Sequence, residues 1–360
     1  MESYATDKDS RGRRITDARP AELAEFPSEI RNHVTFHHAE SGRIATAAAR
    51  WIFRPAINVW TRTRGFAWPL RLIDDTARIF PLPRGTTIAT VHVPQCRAEL
   101  ISASRGLTEA AASNPRWSAT RAVLYLHGGA FVACGLNSHR PIAARISQTA
   151  GSVVLNLEYR MLPLHPLTDA VEDAVAAYQW LYARGFNSIV LAGDSAGGYL
   201  AFMTALALRK SGLPAPAGIV AMSPLTDLDV ARKARHRNAD RCALFTLQAV
   251  EAFIEHLHVV QARFAEDGTW TSLQSPVDSD LSAMPPVQIH AGAEELLLQD
   301  AEFMTQRLVA AGRSVDLHVW KGQIHAFPAA AFATRPALEA VAAIGEFVRK
   351  VTPTKFAIAA

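Results

Sequence analysis

The chain has few cysteines, no long apolar run and little net charge, and each shortage removes a class of protein. Its three cysteines in 360 residues, Cys96, Cys134 and Cys242, stand at irregular spacing. They form no zinc or haem pattern and no disulfide framework, so they read as free thiols of a reducing compartment, the cytoplasm. No stretch of about 18 apolar residues occurs, which leaves no candidate transmembrane span. Met1 to Arg14 is mostly polar and charged and lacks the apolar centre of a signal peptide. The formal net charge is only +4, and the basic clusters Arg11–Arg14 and Arg232–Arg237 are short. Solvated surface accounts for them, and no nucleic-acid partner is expected.

What is present is the composition of a soluble globular protein, 49% hydrophobic and 19% charged, long enough to bury a large core. Residues 1–20 are poor in apolar groups and read as a disordered tail. From Ala21 to Phe80 the apolar spacing is helical, and Trp51, Trp60, Phe66 and Trp68 concentrate aromatic surface there. Packing on a core is the simpler account of them; a surface over a substrate pocket or at a membrane interface is the sharper one. Pro81–Gly85 is a breaker cluster and marks a boundary. Thr86–Val93 and Ala98–Ile101 then read as an antiparallel pair, and 103–119 as a loop.

From Arg121 onward strands and helices alternate. The strands are expected at Ala122–Leu126, Val153–Leu157, Ile189–Ala192, Gly218–Met222, Val287–His290 and Leu317–Trp320. Helices fall near Ile142–Ala150, Ala170–Arg184, after Ser195, Glu302–Ala311 and Ala337–Val351. That rhythm means an α/β fold with a mostly parallel sheet covered on both faces. Residues 227–275 break it and look helical, so 81–360 reads as one domain carrying an insertion at about 227–275.

Gly193-Asp194-Ser195-Ala196-Gly197 lies between the apolar strand ending at Ala192 and an Ala- and Leu-rich helix. This is a G-x-S-x-G elbow, a strained turn that lifts a serine hydroxyl above the sheet edge. A serine hydroxyl needs a base, and an acyl-transfer site needs N–H donors aimed at the developing oxyanion. Gly128 and Gly129, after the strand ending at Leu126, could supply two donors, and the N–H of Ala196 a third. His127 reads as a residue that orients this loop. Of 13 histidines, His325 stands out because it follows the strand Leu317–Trp320 through Lys321-Gly322-Gln323-Ile324, at a carboxyl end, where α/β sheets place their sites. A third member would follow Val287–His290, where Glu294, Glu295 and Asp300 are all candidates.

The stretches His127-Gly128-Gly129-Ala130-Phe131 and Gly193-Asp194-Ser195-Ala196-Gly197-Gly198 resemble the hormone-sensitive-lipase-like family of α/β-hydrolase serine esterases. Glu158–Pro166, Ser223–Leu228 and Met284–Val287 are similar to that family as well, and the likeness spans about residues 85–350. It implies an eight-stranded α/β-hydrolase sheet with a helical cap, here the N-terminal helices 21–80 and the insertion. It also implies hydrolysis of short- to medium-chain carboxylic esters without a cofactor. Residue by residue it implies Ser195 as nucleophile, His325 as base, and an oxyanion hole from Gly128, Gly129 and Ala196. The family acid lies just past a small-residue turn, which points to Glu295, although the family often carries Asp-Pro where Glu295-Leu296 stands. Asp300 would then serve as a helix N-cap. The partner is a small-molecule ester; a homodimer and peripheral lipid contact through the N-terminal aromatic region are also compatible with the sequence.

Overall fold

The computed structural model describes residues 20–38, 42–63, 71–103, 121–264 and 273–353. The 1–19 part of the expected tail, Phe66, Trp68 and most of the 103–119 loop lie outside them. Nine strands form one sheet: β1 Val34–His38, β2 Thr87–Val93, β3 Cys96–Ser102, β4 Arg121–Leu126, β5 Val153–Glu158, β6 Ser188–Asp194, β7 Gly218–Met222, β8 Val287–Gly292 and β9 Val315–Lys321. Their order is β1-β9-β8-β7-β6-β4-β5-β3-β2. β2 and β3 form an antiparallel pair, and β3 runs antiparallel to β5; the remaining neighbours are parallel.

The inner strands are apolar almost throughout because both faces are covered. Leu124, Leu126, Leu155, Leu157, Leu191 and Ile289 point to one face, under the helices Leu167–Ala183, Ala196–Lys210 and Leu298–Ala310. Val123, Tyr125, Val154, Val190 and Val220 alternate to the other, under Leu136–Ala150 and Arg335–Val351. Every parallel strand therefore ends at the same edge.

The expected eight strands are short by one. The missing strand is β1, placed inside a region read as helical. Val34–His38 is too short for its alternation to stand out, and its pairing partner is β9, almost 300 residues away. β1 lies in parallel register with β9, Val34 opposite Leu317 and His38 opposite Lys321, and buries Phe36. The rest of that region is short helices, among them Pro20–Ala24 and Arg71–Thr76. A longer helical run from Arg43 to Trp60 contains a π-turn at Ala49–Phe53. Pro55 has no N–H for the Trp51 carbonyl, and the Arg54 N–H instead reaches Ala49, five residues back. Trp60 is buried, but Trp51 is 76% exposed and Ile52 and Phe53 are exposed beside it. Three consecutive helical residues fan around most of a turn, so one core cannot cover them all.

The β1 edge is sealed by a polar chain of one direction. Trp320 Nε1–H donates to His290 Nδ1 at 3.2 Å, leaving His290 Nε2–H to donate to Gln288 Oε1 at 3.1 Å. Gln288 Nε2 then donates to His318 Nε2 at 3.3 Å, and His318 Nδ1–H to His37 Nε2 at 2.9 Å. His290 and His318 are each spent once as donor and once as acceptor and His37 accepts through Nε2, so an added proton sets two donors face to face. Burial, with His318 as a like-charged neighbour, lowers His37 to about 3; burial lowers His318 to about 4 and His290 well below the ordinary range. The unfolded chain protonates these groups near pH 6.5, whereas the folded chain resists until about pH 4 and below. Between those limits unfolding takes up protons, so stability falls as pH drops below about 6.5. The urea midpoint should therefore decline steadily from pH 7.5 to 5.0, and His37→Gln should decline less steeply. A midpoint constant over that range would contradict the buried, neutral cluster.

Candidate active site

Ser195 closes β6 and opens the helix Ala196–Lys210 at φ 52°, ψ −115°, a conformation that costs a non-glycine residue about 1–3 kcal/mol. The turn is held by its own backbone: Ser195 N–H donates to Met222 O at 2.8 Å, and its carbonyl accepts from Gly198 and Leu225. Strand and helix approach so closely that a Cβ on Gly193 would strike the Gly197 carbonyl, and one on Gly197 the Leu126 carbonyl. That close contact is why both positions are glycine.

Asp194 beside it is buried and accepts from Tyr125 Oη–H at 2.8 Å, from Gly128 N–H at 3.0 Å and from His139 Nε2–H. Burial alone would raise this carboxyl, but the His139 charge and these hydrogen bonds bring it down to about 2. Burial likewise works against charge on His139, and Asp194 outweighs it and raises His139. His139 Nδ1–H reaches Ser138 Oγ at 2.9 Å, and the Ser138 hydroxyl donates to Asp74 at 2.8 Å. Asp74, from the helix Arg71–Thr76, also accepts Ser138 N–H and the Asn137 amide, so burial's tendency to raise it is overcome and its carboxyl is lowered.

The engagement of Gly128 corrects one sequence assignment. Its N–H is spent on Asp194, so it does not point into open space as an oxyanion donor would. The turn beyond it, with Gly129, Ala130 and Phe131 all at positive φ, folds back so that Val132 and Ala133 donate to the Gly129 carbonyl. His127 is fully buried and lowered to about 4, chiefly by that burial. Its ring stacks on Tyr159 at 4.3 Å, and its Nδ1 lies 2.7 Å from the Gly128 carbonyl. It is placed to orient the loop, as its sequence position suggested.

His325 and Glu295 come from the loops after β9 and β8. Glu295 is 1% exposed, and its Oε2 lies 2.6 Å from His325 Nδ1. Its Oε1 accepts from Gly292 N–H at 2.7 Å and from the Ser223 hydroxyl at 2.8 Å. Ser223 in turn accepts Ala326 N–H at 2.9 Å, so it ties the acid to the loop that carries the imidazole. Glu294 is exposed. Asp300 lies in the first turn of the helix Leu298–Ala310 rather than at its N-cap, because the helix starts earlier than the sequence suggests. Its carboxylate accepts from Thr226 N–H and Asp227 N–H and pairs with Lys233 at 2.9 Å, both partners fully buried.

The inserted segment, with helices Val230–Arg235 and Leu247–Ala262, touches each of these loops. Asn238 Nδ2–H donates to the Ala293 and Glu295 carbonyls, Phe245 sets its ring edge-on to His325 at 4.8 Å, and Phe253 lies 6.4 Å from Phe131. Thr246 joins the segment to Asn58 of the N-terminal helix at 2.7 Å. Sequence reading missed Ser223, Asn238, Asp74 and His139. Of these only Ser223 stood inside a recognised stretch. Among the described residues, no three histidine, cysteine or acidic side chains gather as a metal site.

Residues 123–329 match the α/β hydrolase fold family. The chain is 39% identical to "Carboxylesterase/phospholipase LipF" of Mycobacterium tuberculosis over 87% of this chain and 82% of that one. It is 38% identical to "Esterase LipU" of the same organism over 83% of this chain and 99% of that one. A solved mutant of the esterase E40 superposes with a TM-score of 0.72 at 32% identity, covering 87% of this chain and 99% of the other. A solved esterase of the bacterial hormone-sensitive lipase family gives 0.68 at 32% identity, covering 82% and 97%. The chain belongs to the α/β-hydrolase fold family, among its hormone-sensitive-lipase-like esterases.

Proposed function

We propose that this enzyme is a serine carboxylesterase working through an acyl-enzyme on Ser195. The observation that carries the reading is the 2.6 Å contact between His325 and the buried Glu295, at the sheet edge where the strained Ser195 turn emerges. His325 takes the Ser195 proton through Nε2 as Oγ attacks the ester carbonyl, and Glu295, bound to Nδ1–H, holds the ring and stabilises the imidazolium. The tetrahedral oxyanion is met by the N–H groups of Gly129, Ala130 and Ala196, Gly128 being occupied by Asp194. The same imidazole protonates the leaving alcohol and then draws a proton from the water that cleaves the acyl-enzyme.

The insertion and the N-terminal helices form the cap, and apolar side chains such as Phe131, Phe245 and Phe253 favour short to medium acyl chains. The naming of one relative as a phospholipase supports lipid esters as a further substrate class. The cytoplasm is the compartment we infer, all three cysteines being free.

Replacing Ser195 with Ala should lower hydrolysis of p-nitrophenyl esters by at least about a thousandfold with folding intact. A serine-directed organophosphate should label the wild type once; labelling that persists in Ser195→Ala would place the nucleophile elsewhere.

The two buried carboxylates should separate cleanly. Glu295→Gln should cost orders of magnitude in kcat with little change in melting temperature. Asp300→Asn leaves Lys233 as an uncompensated buried charge, so it should lower stability by on the order of 3 kcal/mol while kcat stays near wild type. The reverse pattern would move the acid to Asp300.

A further inference from the structure

The exposed apolar side chains of the N-terminal helix are not scattered. Trp51, Ile52, Phe53 and Val59 are 76%, 64%, 56% and 56% exposed on one helical run of 18 residues, Arg43 to Trp60. From Arg43 to Thr63 the chain holds four arginines, Arg43, Arg50, Arg54 and Arg62, and no acidic residue. Arg50 and Arg62 are exposed and Arg54 half-buried among these apolar groups.

Below this helix lies a cavity of about 380 Å³. Thr46, Ala47, Arg50 and Trp51 form one wall, and Glu294 and Gly322 the other. Glu294 precedes Glu295, and Gly322 opens the loop that leads to His325.

We infer that Arg43–Trp60 is an interfacial helix that seats the enzyme on an anionic lipid surface, with the cavity beside the catalytic loops facing that surface. Trp51, Ile52 and Phe53 enter the headgroup and acyl boundary, where an amphipathic indole is at home, and the arginines meet lipid phosphates. Charge selects this partner over a second copy of the chain. A two-fold interface would bring the same patch against itself, arginine to arginine, with no carboxylate in the helix to pair them. A bilayer supplies both the apolar depth and the negative charge. Docking stands apart from the esterase reading; delivery of lipid esters through the cavity rests on it.

Flotation with vesicles tests the docking. The wild type should float with phosphatidylcholine vesicles that contain phosphatidylglycerol and much less with phosphatidylcholine alone. Ile52→Glu combined with Phe53→Glu should lower the bound fraction at least about tenfold. That variant should keep wild-type hydrolysis of p-nitrophenyl acetate in solution, which also reports that it folds. Arg54→Gln combined with Arg62→Gln should erase the preference for phosphatidylglycerol. Ser195→Ala should float like the wild type, so an error about the chemistry would not disguise itself as an error about docking. Absence of wild-type flotation, or undiminished flotation of the Ile52 and Phe53 variant, overturns the proposal. So does a wild-type dimer that this variant converts to monomers, since the patch would then be a self-interface.

Discussion

One buried negative charge, on Asp194, sets the geometry around the nucleophile. A carboxylate sealed from water is tolerable only when it is paired and hydrogen-bonded. Asp194 meets that condition by gathering Tyr125, the Gly128 N–H and His139, whose imidazole the carboxylate raises. The residue before Ser195 is thereby locked to the loop after β4, so the elbow and the oxyanion turn cannot shift independently. The same constraint leaves no room for a side chain at Gly128, where a Cβ would collide with the Asp194 carboxylate. Because His139 passes its second N–H to Ser138 and on to Asp74, the N-terminal region is coupled to this charge as well. A segment that looks peripheral in sequence thus bears on the backbone of the Gly128-Gly129 turn.

Environment, more than sequence position, distinguishes the two buried carboxylates that follow β8. Asp300 takes the Thr226 and Asp227 N–H groups on one oxygen and the Lys233 ammonium beside both, and all three partners fasten the start of the insertion to the core. Burial pushes its carboxyl up while Lys233 pulls it down, the signature of a structural ion pair. Glu295 takes only two donors on one oxygen and leaves the other for His325. An acid that orients an imidazole needs that division: one oxygen fixed by the protein, one given to the base.

The parallel strands and their helices were legible because burial on both faces turns each strand into an apolar run bounded by turn residues. The eight strands expected after residue 85 all occur, six of them extended by one to three residues. The elbow was legible for a related reason, since a turn that tolerates no Cβ writes its glycines into the sequence. β1 was not, because a five-residue edge strand owes its existence to the hydrogen bonds of β9 and little to its own composition. The engagement of Gly128 was invisible as well. Spacing identifies a loop rich in N–H groups, but only the position of Asp194 decides which of them remains to face a substrate. Ser223 and Asn238 act by hydrogen bonds across 72 and 57 residues of chain, and no local pattern encodes such a reach.

The floor and the roof of the site obey different rules. Ser195, Glu295 and His325 leave the carboxyl ends of β6, β8 and β9, whose spacing is fixed by strand hydrogen bonds and by cores on both faces. The roof is helical and joins the floor through apolar packing of Val250, Ile254, Leu257 and Val260 and through polar contacts such as Asn238 on the loop after β8, Lys233 on Asp300 and Tyr199 Oη–H on the Gln274 carbonyl. Its two halves meet through the Thr246 hydroxyl on Asn58 and through Arg237, which reaches Glu25 at 3.6 Å and lies over the Phe26 ring. Strands fixed on both sides hold side chains to the tolerance that proton transfer requires, whereas the helices above them are not bound to that register. Chemistry therefore belongs to the sheet edge, and substrate range and surface docking belong to the helices above it. The exposed Trp51 fits that division: it lies on the roof, where an apolar side chain costs the catalytic frame nothing.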